Sequence, residues 1–181
     1  MTPPLETDRL LLLPLQLSDA PATQKLFPHW DIVKYLARRV PWPYPEDGAL
    51  TYYRDIALPA VARNEEWHWG IHLKGDLKHL IGAISLMKTE NDNRGFWLGL
   101  PWHGHGLITE ASVPINDYWF DVLNFPILRT SKAVANQASR RVSKKNGMRV
   151  IATEEREYVS GRLLAETWEI AAEEWRSLRK K

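Results

Sequence analysis

The spacing of apolar residues changes several times along the chain, and each change predicts a different element. Residues 9–15 form a short Leu-rich run, and Ser18 and Asp19 then supply side chains suited to a helix N-cap, which predicts a strand followed by a helix over 20–27. Asp31 is placed to cap a second helix over 32–37. Pro41-Trp42-Pro43-Tyr44-Pro45 must be a stiff loop, because three prolines lack a donor and fix φ. Leu50, Tyr53, Ile56 or Ala57, and Val61 recur at helical spacing, so 46–63 reads as a helix kinked at Pro59. At Trp67 the period becomes two: Trp67, Trp69, Ile71 and Leu73 alternate with His68, Gly70 and His72, and Lys74-Gly75-Asp76 turns the chain into a second strand over 79–87.

A third strand over 94–100 leads through glycines into a helix over 107–122 that must accommodate Pro114. A strand over 127–135, a basic helix over 137–146 closed by Gly147, and strands over 148–158 and 167–171 complete the chain. The order, βαα, three antiparallel strands, then αβαββ, predicts an α+β fold: a twisted central sheet, partly antiparallel and partly parallel, flanked by helices. With 181 residues, 44% of them hydrophobic, and no repeat or linker, the expectation is a single domain over 1–181.

Composition removes several chemistries. The chain has no cysteine, which excludes thiolate metal clusters, disulfides and a cysteine nucleophile, and is compatible with a reducing cytoplasm. The first apolar run is short and broken by Pro14, so no membrane segment is expected. A net charge of +2 is too small for bulk attraction to nucleic acid, so any polyanion must be drawn locally.

Local charge is uneven. Residues 122–153 contain no Asp or Glu but carry Arg129, Lys132, Arg140, Arg141, Lys144, Lys145 and Arg149. Just before this stretch, Gly104 and Gly106 sit between a strand and a helix, where glycine permits positive φ and close backbone approach, so that amide N–H groups and the helix dipole can converge on a phosphate. A dinucleotide fingerprint is absent, since Thr109 stands where its third glycine would fall, and there is no G-K-[ST] of a P-loop. His103 and His105 lack a third ligand nearby, and no metal is expected.

Phe96-Trp97-Leu98, Trp102-His103-Gly104-His105-Gly106 and Thr109-Glu110-Ala111, followed by Asn136-Gln137-Ala138-Ser139 and Lys145-Asn146-Gly147-Met148, resemble in order and spacing the GNAT acetyltransferases, in particular the RimJ/RimL-like branch. Glu6-Thr7-Asp8-Arg9-Leu10 resembles that family's first strand, and the resemblance covers almost the whole chain. Three positions depart from the pattern: Pro101 stands where many members have Gln or Arg, Met148 replaces Phe, and Ser143 occupies the place of a catalytic Tyr.

The resemblance implies transfer of an acetyl group from acetyl-CoA to a primary amine, either a protein N-terminus or a small molecule, by direct attack in a ternary complex. It assigns the pyrophosphate to backbone amides of Trp102, His103, Gly104, His105, Gly106 and Leu107, and the pantetheine arm to Leu98 and Asn136. Arg141 and Lys144 are the expected side chains for the phosphates. Among the catalytic candidates, the Leu98 N–H would polarise the thioester carbonyl, Ser139 would protonate the departing thiolate, and Glu157, on one strand face with Glu155, would serve the amine. Tyr35, Trp42, Tyr44, Tyr52 and Tyr53 are placed by the same analogy near an acceptor cleft. A homodimer is compatible with this reading, and a non-catalytic CoA-binding or RNA-binding module is the alternative to it.

Overall fold

The computed structural model describes residues 2–180; residues 1 and 181 of the expected domain lie outside it. Five strands, β1 (Leu5–Glu6), β2 (Leu10–Pro14), β3 (Glu66–Leu73), β4 (Asp76–Met87) and β5 (Arg94–Leu98), form one antiparallel sheet in chain order. β6 (Ile127–Ala133), β7 (Arg149–Tyr158) and β8 (Gly161–Ala171) form a second antiparallel sheet in the order β6-β8-β7. Helices α1 (Ala20–Leu26), α2 (Trp30–Val33), α3 (Gly48–Tyr52) and α4 (Leu58–Ala62) precede the β3–β5 meander. α5 (Leu107–Asp117) links the two sheets, α6 (Gln137–Lys145) joins β6 to β7, and α7 (Ala172–Arg179) follows β8.

The first sheet is buried on both faces, which is why β3 is buried over six consecutive residues even though its sequence alternates. Leu10, Leu12, Trp69 and Ile71 pack towards Ile115 and Trp119 of the segment led by α5, while Leu15, Ala20, Ala49, Tyr53 and Leu80 form a separate core on the α1 and α3 side. Glu110 in the first turn of α5 accepts from the Thr7 hydroxyl at 2.5 Å and from the Arg9 N–H and Nε at 2.9 and 2.6 Å. That carboxylate ties the start of β2 to the helix N-terminus, where the dipole favours it.

Several expectations change. The helix expected over 32–37 is only α2, and its cap is the His29 side chain, whose Nδ1 accepts from the Asp31 N–H at 3.2 Å, rather than Asp31 itself. The helix expected over 46–63 runs over 48–62 in three parts. It widens into one i→i+5 turn over 53–57, and Pro59 then sits in the first turn of α4, where a missing N–H costs no helical bond. The strand expected over 167–171 begins at Gly161, because β7 and β8 form a long hairpin. Most of β7 is exposed on both faces, and the strand expected over 148–158 is observed as Arg149–Tyr158.

Every laddered strand pair among the described residues is antiparallel, and the expected parallel relation lies at β5 and β6, which form no ladder. The Asn93 N–H donates to the Arg129 carbonyl at 2.6 Å, the Arg129 N–H to Asn93 Oδ1 at 2.9 Å, and the Ser131 N–H to Asp92 Oδ1 at 3.1 Å. From this stitched end both strands run the same way and separate.

Candidate active site

The gap between β5 and β6 widens into a cleft of about 850 Å³, lined by Phe96, Leu98, Lys132, Ala133, Asn136 and Ser139 among others. Register explains its chemistry. Gly99 donates to the Ile81 carbonyl and Met87 to the Asn93 carbonyl, so odd-numbered residues of β5 bond to β4, while the N–H and C=O of Phe96 and Leu98 face the gap. On β6, Val134 donates to the Leu164 carbonyl, so the even-numbered residues bond to β8 and Ala133 faces the gap from the other side. Two strand edges are thus kept apart with backbone polar groups available between them. The Leu98 carbonyl accepts from His103 Nε2 at 2.7 Å, which leaves its N–H as the open group.

At the wide end the chain leaves β5 through a short 3₁₀ turn, Leu100–Trp102. Gly99 is required there, because a Cβ would lie 2.7 Å from the Trp102 ring. Gly104 and Gly106 have φ of +80° and +75°, the left-handed conformation expected of this turn. Two of the expected amide donors are committed elsewhere: Trp102 N–H donates to the Gly99 carbonyl and His103 N–H to the Leu100 carbonyl, each at 3.1 Å. The amides from Gly104 to the first turn of α5 remain, and His105 does not line the cleft.

α6 starts with a side-chain cap, Asn136 Oδ1 accepting from the Ser139 N–H at 3.1 Å, which fixes both residues at the cleft wall. Ser139 is 8% exposed and lines the cleft, whereas Ser143 is fully buried and outside the lining. Arg141 lines it together with Ala138, Val142 and Lys145, the i, i+3, i+4, i+7 face of the helix. Lys144 falls off that face, one helical turn beyond Arg140, whose guanidinium forms a two-pronged pair with Glu166 at 2.8 Å. Lys145 was legible in the sequence as the i+4 partner of Arg141.

Glu157 lies at the rim, paired with Arg38 at 3.3 Å and Arg162 at 3.2 Å, beside Tyr158 and Tyr35. Glu154 pairs with Arg156 and Glu155 with Arg162. Of the five aromatics expected at an acceptor cleft, Tyr35 lines it. Tyr53 is buried and shares a 2.6 Å hydrogen bond with Thr23, and Tyr44 packs edge-on to Phe27.

Sequence reasoning missed the floor of the cleft. Arg94, Phe96 and Lys132 line it, and both cations are buried. Burial pushes the Lys132 amine down to about 7, with the neighbouring Arg94 charge adding to the effect, and burial pushes Arg94 down to about 10. Asp92, at the stitched end, is pushed up from the ordinary carboxylate range by burial. Among the described residues no group of three or more His, Asp or Glu is placed to hold a metal, and no helix is long and apolar enough to cross a membrane.

Residues 9–149 match the family described as "Acetyltransferase (GNAT) domain". The chain belongs to the GNAT acetyltransferase family. No curated protein matches it by sequence. Among solved structures, the GNAT chain superposes on RimL, the ribosomal L7/L12 alpha-N-protein acetyltransferase in complex with coenzyme A, with a TM-score of 0.79 at 15% identity, covering 93% of this chain and 98% of that one. A ribosomal-protein-S5-alanine acetyltransferase from Vibrio fischeri gives 0.79 at 14% identity, with 96% and 98% covered. The microcin C7 self-immunity acetyltransferase MccE, solved with acetyl-CoA and AMP, gives 0.75 at 16%, with 91% and 93% covered. This GNAT fold is therefore shared with ribosomal-protein acetyltransferases of the RimJ/RimL kind.

Proposed function

We propose that this GNAT protein acts as a single acetyl-CoA-dependent N-acetyltransferase domain, moving the acetyl group to a primary amine, a protein N-terminal α-amine or a small-molecule amine, by direct attack with both substrates bound. The observation that carries the reading is the open edge of β5 at Phe96 and Leu98, which leads from a turn of uncommitted amides into a cleft. The neighbours solved with coenzyme A and acetyl-CoA support the choice of donor.

On this reading the amides of residues 104–107 receive the pyrophosphate at the N-terminus of α5, with Arg141 and Lys145 beside it. The backbone of Phe96, Leu98 and Ala133, with Asn136, holds the pantetheine arm, and the Leu98 N–H stabilises the oxyanion that develops on the thioester carbonyl. The amine must lose a proton to attack, and its ordinary pKa is about 7.8 for an α-amine and about 10.4 for a lysine side chain. Glu157 at the rim takes that proton, directly or through water, and Ser139 gives one to the departing thiolate. No covalent acyl-enzyme is formed, in keeping with a chain without cysteine.

The test is thiol release from acetyl-CoA over a panel of N-terminal peptides, polyamines, amino acids and aminoglycosides, with calorimetry for acetyl-CoA and for RNA. Binding of acetyl-CoA together with acceptor-dependent thiol release supports the reading. Binding of RNA with no affinity for acetyl-CoA overturns it in favour of a non-catalytic module.

A further inference from the structure

The floor of the cleft holds two cations that form no salt bridge among the described residues. Arg94 is fully buried and donates only to neutral acceptors, Asn116 Oδ1 at 2.6 Å, Asn146 Oδ1 at 2.9 Å and the Met148 sulfur at 3.8 Å, while its Nε has no partner. Lys132 is 5% exposed, lines the cleft, lies 4.8 Å above the Phe96 ring, and forms no ion pair or hydrogen bond among the described residues. The acids nearby do not neutralise them. Glu166, opposite Lys132 on β8, is committed to Arg140. Asp92, which lines the cleft, accepts from the Ser131 N–H and attracts Lys132, but it is one carboxylate against two cations and forms a salt bridge with neither. Buried charge that is not balanced is unfavourable, and two cations against one carboxylate on the wall of an open cleft leave positive charge for an anion to meet.

Their position says which anion. Arg94, Phe96 and Leu98 alternate onto one face of β5, and Arg94 reaches Asn116 of α5 and Asn146 just after α6. This face is the one covered by α5 and α6, where the donor is placed under the function proposed above, on which this inference rests. Glu157, Tyr158 and Tyr35, assigned to the acceptor, lie at the rim. Phe96 stands two residues from Leu98 towards the stitched end, about 6.6 Å along the strand. An acyl group whose carbonyl meets the Leu98 N–H and whose chain runs towards Phe96 advances about 4 Å over three bonds, and a terminal carboxylate reaches about 2.8 Å further by hydrogen bond, in the direction of the amine that lies over the Phe96 ring.

We propose that Lys132, backed by Arg94, receives a carboxylate at the far end of the acyl chain, so that the cleft takes a dicarboxylic acyl thioester of coenzyme A, of succinyl length, as a donor besides acetyl-CoA. In the transfer step the acceptor nitrogen forms a bond to the thioester carbonyl carbon, the C–S bond breaks, the thiolate takes up a proton, and the nitrogen gives one up. The distal carboxylate is unchanged, so the product amide carries a negative charge where the acceptor was positive.

Calorimetry of the full chain with acetyl-CoA and with succinyl-CoA, without acceptor, tests this. The wild type is expected to bind succinyl-CoA, and Lys132→Met to lower the ratio of succinyl-CoA to acetyl-CoA affinity by about tenfold or more, as expected for loss of a charge-assisted hydrogen bond. Lys132→Arg, which keeps the charge, retains most of the ratio. Wild-type protein that binds acetyl-CoA but not succinyl-CoA, or a ratio unmoved in Lys132→Met, overturns the inference and leaves the acetyltransferase reading standing. Failure to bind either thioester removes both. If Lys132→Met instead alters only the KM for carboxylate-bearing acceptors, the carboxylate belongs to the acceptor and the donor assignment is wrong.

Discussion

Replacing Lys132 by methionine should make the empty protein more stable, and by an amount that depends on pH. Its amine falls from an ordinary 10.5 to about 7 in the fold, because burial and the Arg94 guanidinium disfavour the charged form. Below pH 7 the amine is charged in both the folded and the unfolded chain, and the full burial penalty applies, about 4–5 kcal/mol from that displacement. Water entering through the cleft reduces it, so Lys132→Met is expected to gain about 2–5 kcal/mol at pH 6. Between about 7 and 10.5 the folded protein holds the amine neutral while the unfolded chain keeps its proton. Wild-type stability therefore rises relative to the variant by about 1.4 kcal/mol per pH unit, and the advantage of methionine shrinks towards zero near pH 10. The groups facing Lys132 are Arg94 from β5, Asp92 just before it, and Glu166 of β8 held by Arg140 of α6; all are present in both proteins, and because the Lys132 charge lowers the Asp92 carboxyl, the difference reads the amine together with its effect on Asp92. Urea unfolding of both proteins at pH 6, 7, 8 and 9 measures it. A variant less stable than wild type throughout, or a difference that does not change between pH 6 and 9, would refute the claim that a buried amine is held near neutrality.

Three further outcomes are expected. Gly106→Ala places a Cβ no nearer than 3.9 Å to any other group, so it should cost only the left-handed backbone strain of about 1–2 kcal/mol, yet lower acetyl-CoA affinity by about tenfold or more; undiminished affinity in the folded variant removes the phosphate from this turn. Arg141→Ala and Lys145→Ala should each weaken acetyl-CoA about three- to tenfold at low salt, less at high salt, while Lys144→Ala binds like wild type; a loss confined to Lys144→Ala would contradict the helix-face argument. Ser139→Ala should lower kcat by about 10²–10⁴-fold with little change in the Kd for acetyl-CoA, and a loss under about tenfold means that water protonates the thiolate.

The β3–β5 meander, α5 and the glycine turn were legible because each rests on local signals: period-two alternation closed by Lys74-Gly75-Asp76, and glycines whose left-handed φ the structure contains. The π-like turn before Pro59, α7 and the full length of β8 were not. The first compensates for a proline by bond shifting that has no composition signature. The outer half of β8 alternates only between half-buried and exposed positions against a largely exposed β7, so Leu163 and Leu164 mark no core face. In the cleft, Gly104 and Gly106 could be named from turn chemistry, Arg141 from the basic helix, and Leu98, Asn136 and Ser139 from the family resemblance. Their availability could not, since whether the Leu98 N–H is open depends on which residues of β5 bond to β4.

The acid-free stretch over 122–153 shows how a linear reading of charge goes astray and why the buried cations stand out once it is corrected. Its seven cations suggested one polyanion site. In the fold, acids from β8 and α7 meet three of them: Glu169 pairs with Arg129 and Arg149, Glu174 also with Arg149, and Glu166 with Arg140. Arg141 and Lys145 line the mouth of the cleft, and Lys144 lies outside it. Lys132 alone points inward, next to Arg94, a cation from outside the stretch that no charge count would have joined to it. The chain therefore neutralises the arginines that brace its second sheet, and at the cleft it pairs Lys34 with Asp31 and Arg156 with Glu154 but forms no salt bridge at Arg94, Lys132, Arg141 or Lys145 among the described residues. The fold supplies acids 20–40 residues away to its scaffold cations, yet on the cleft floor sets the single carboxylate of Asp92 near two buried cations and bridges it to neither, which is the excess positive charge that the proposed carboxylate would meet.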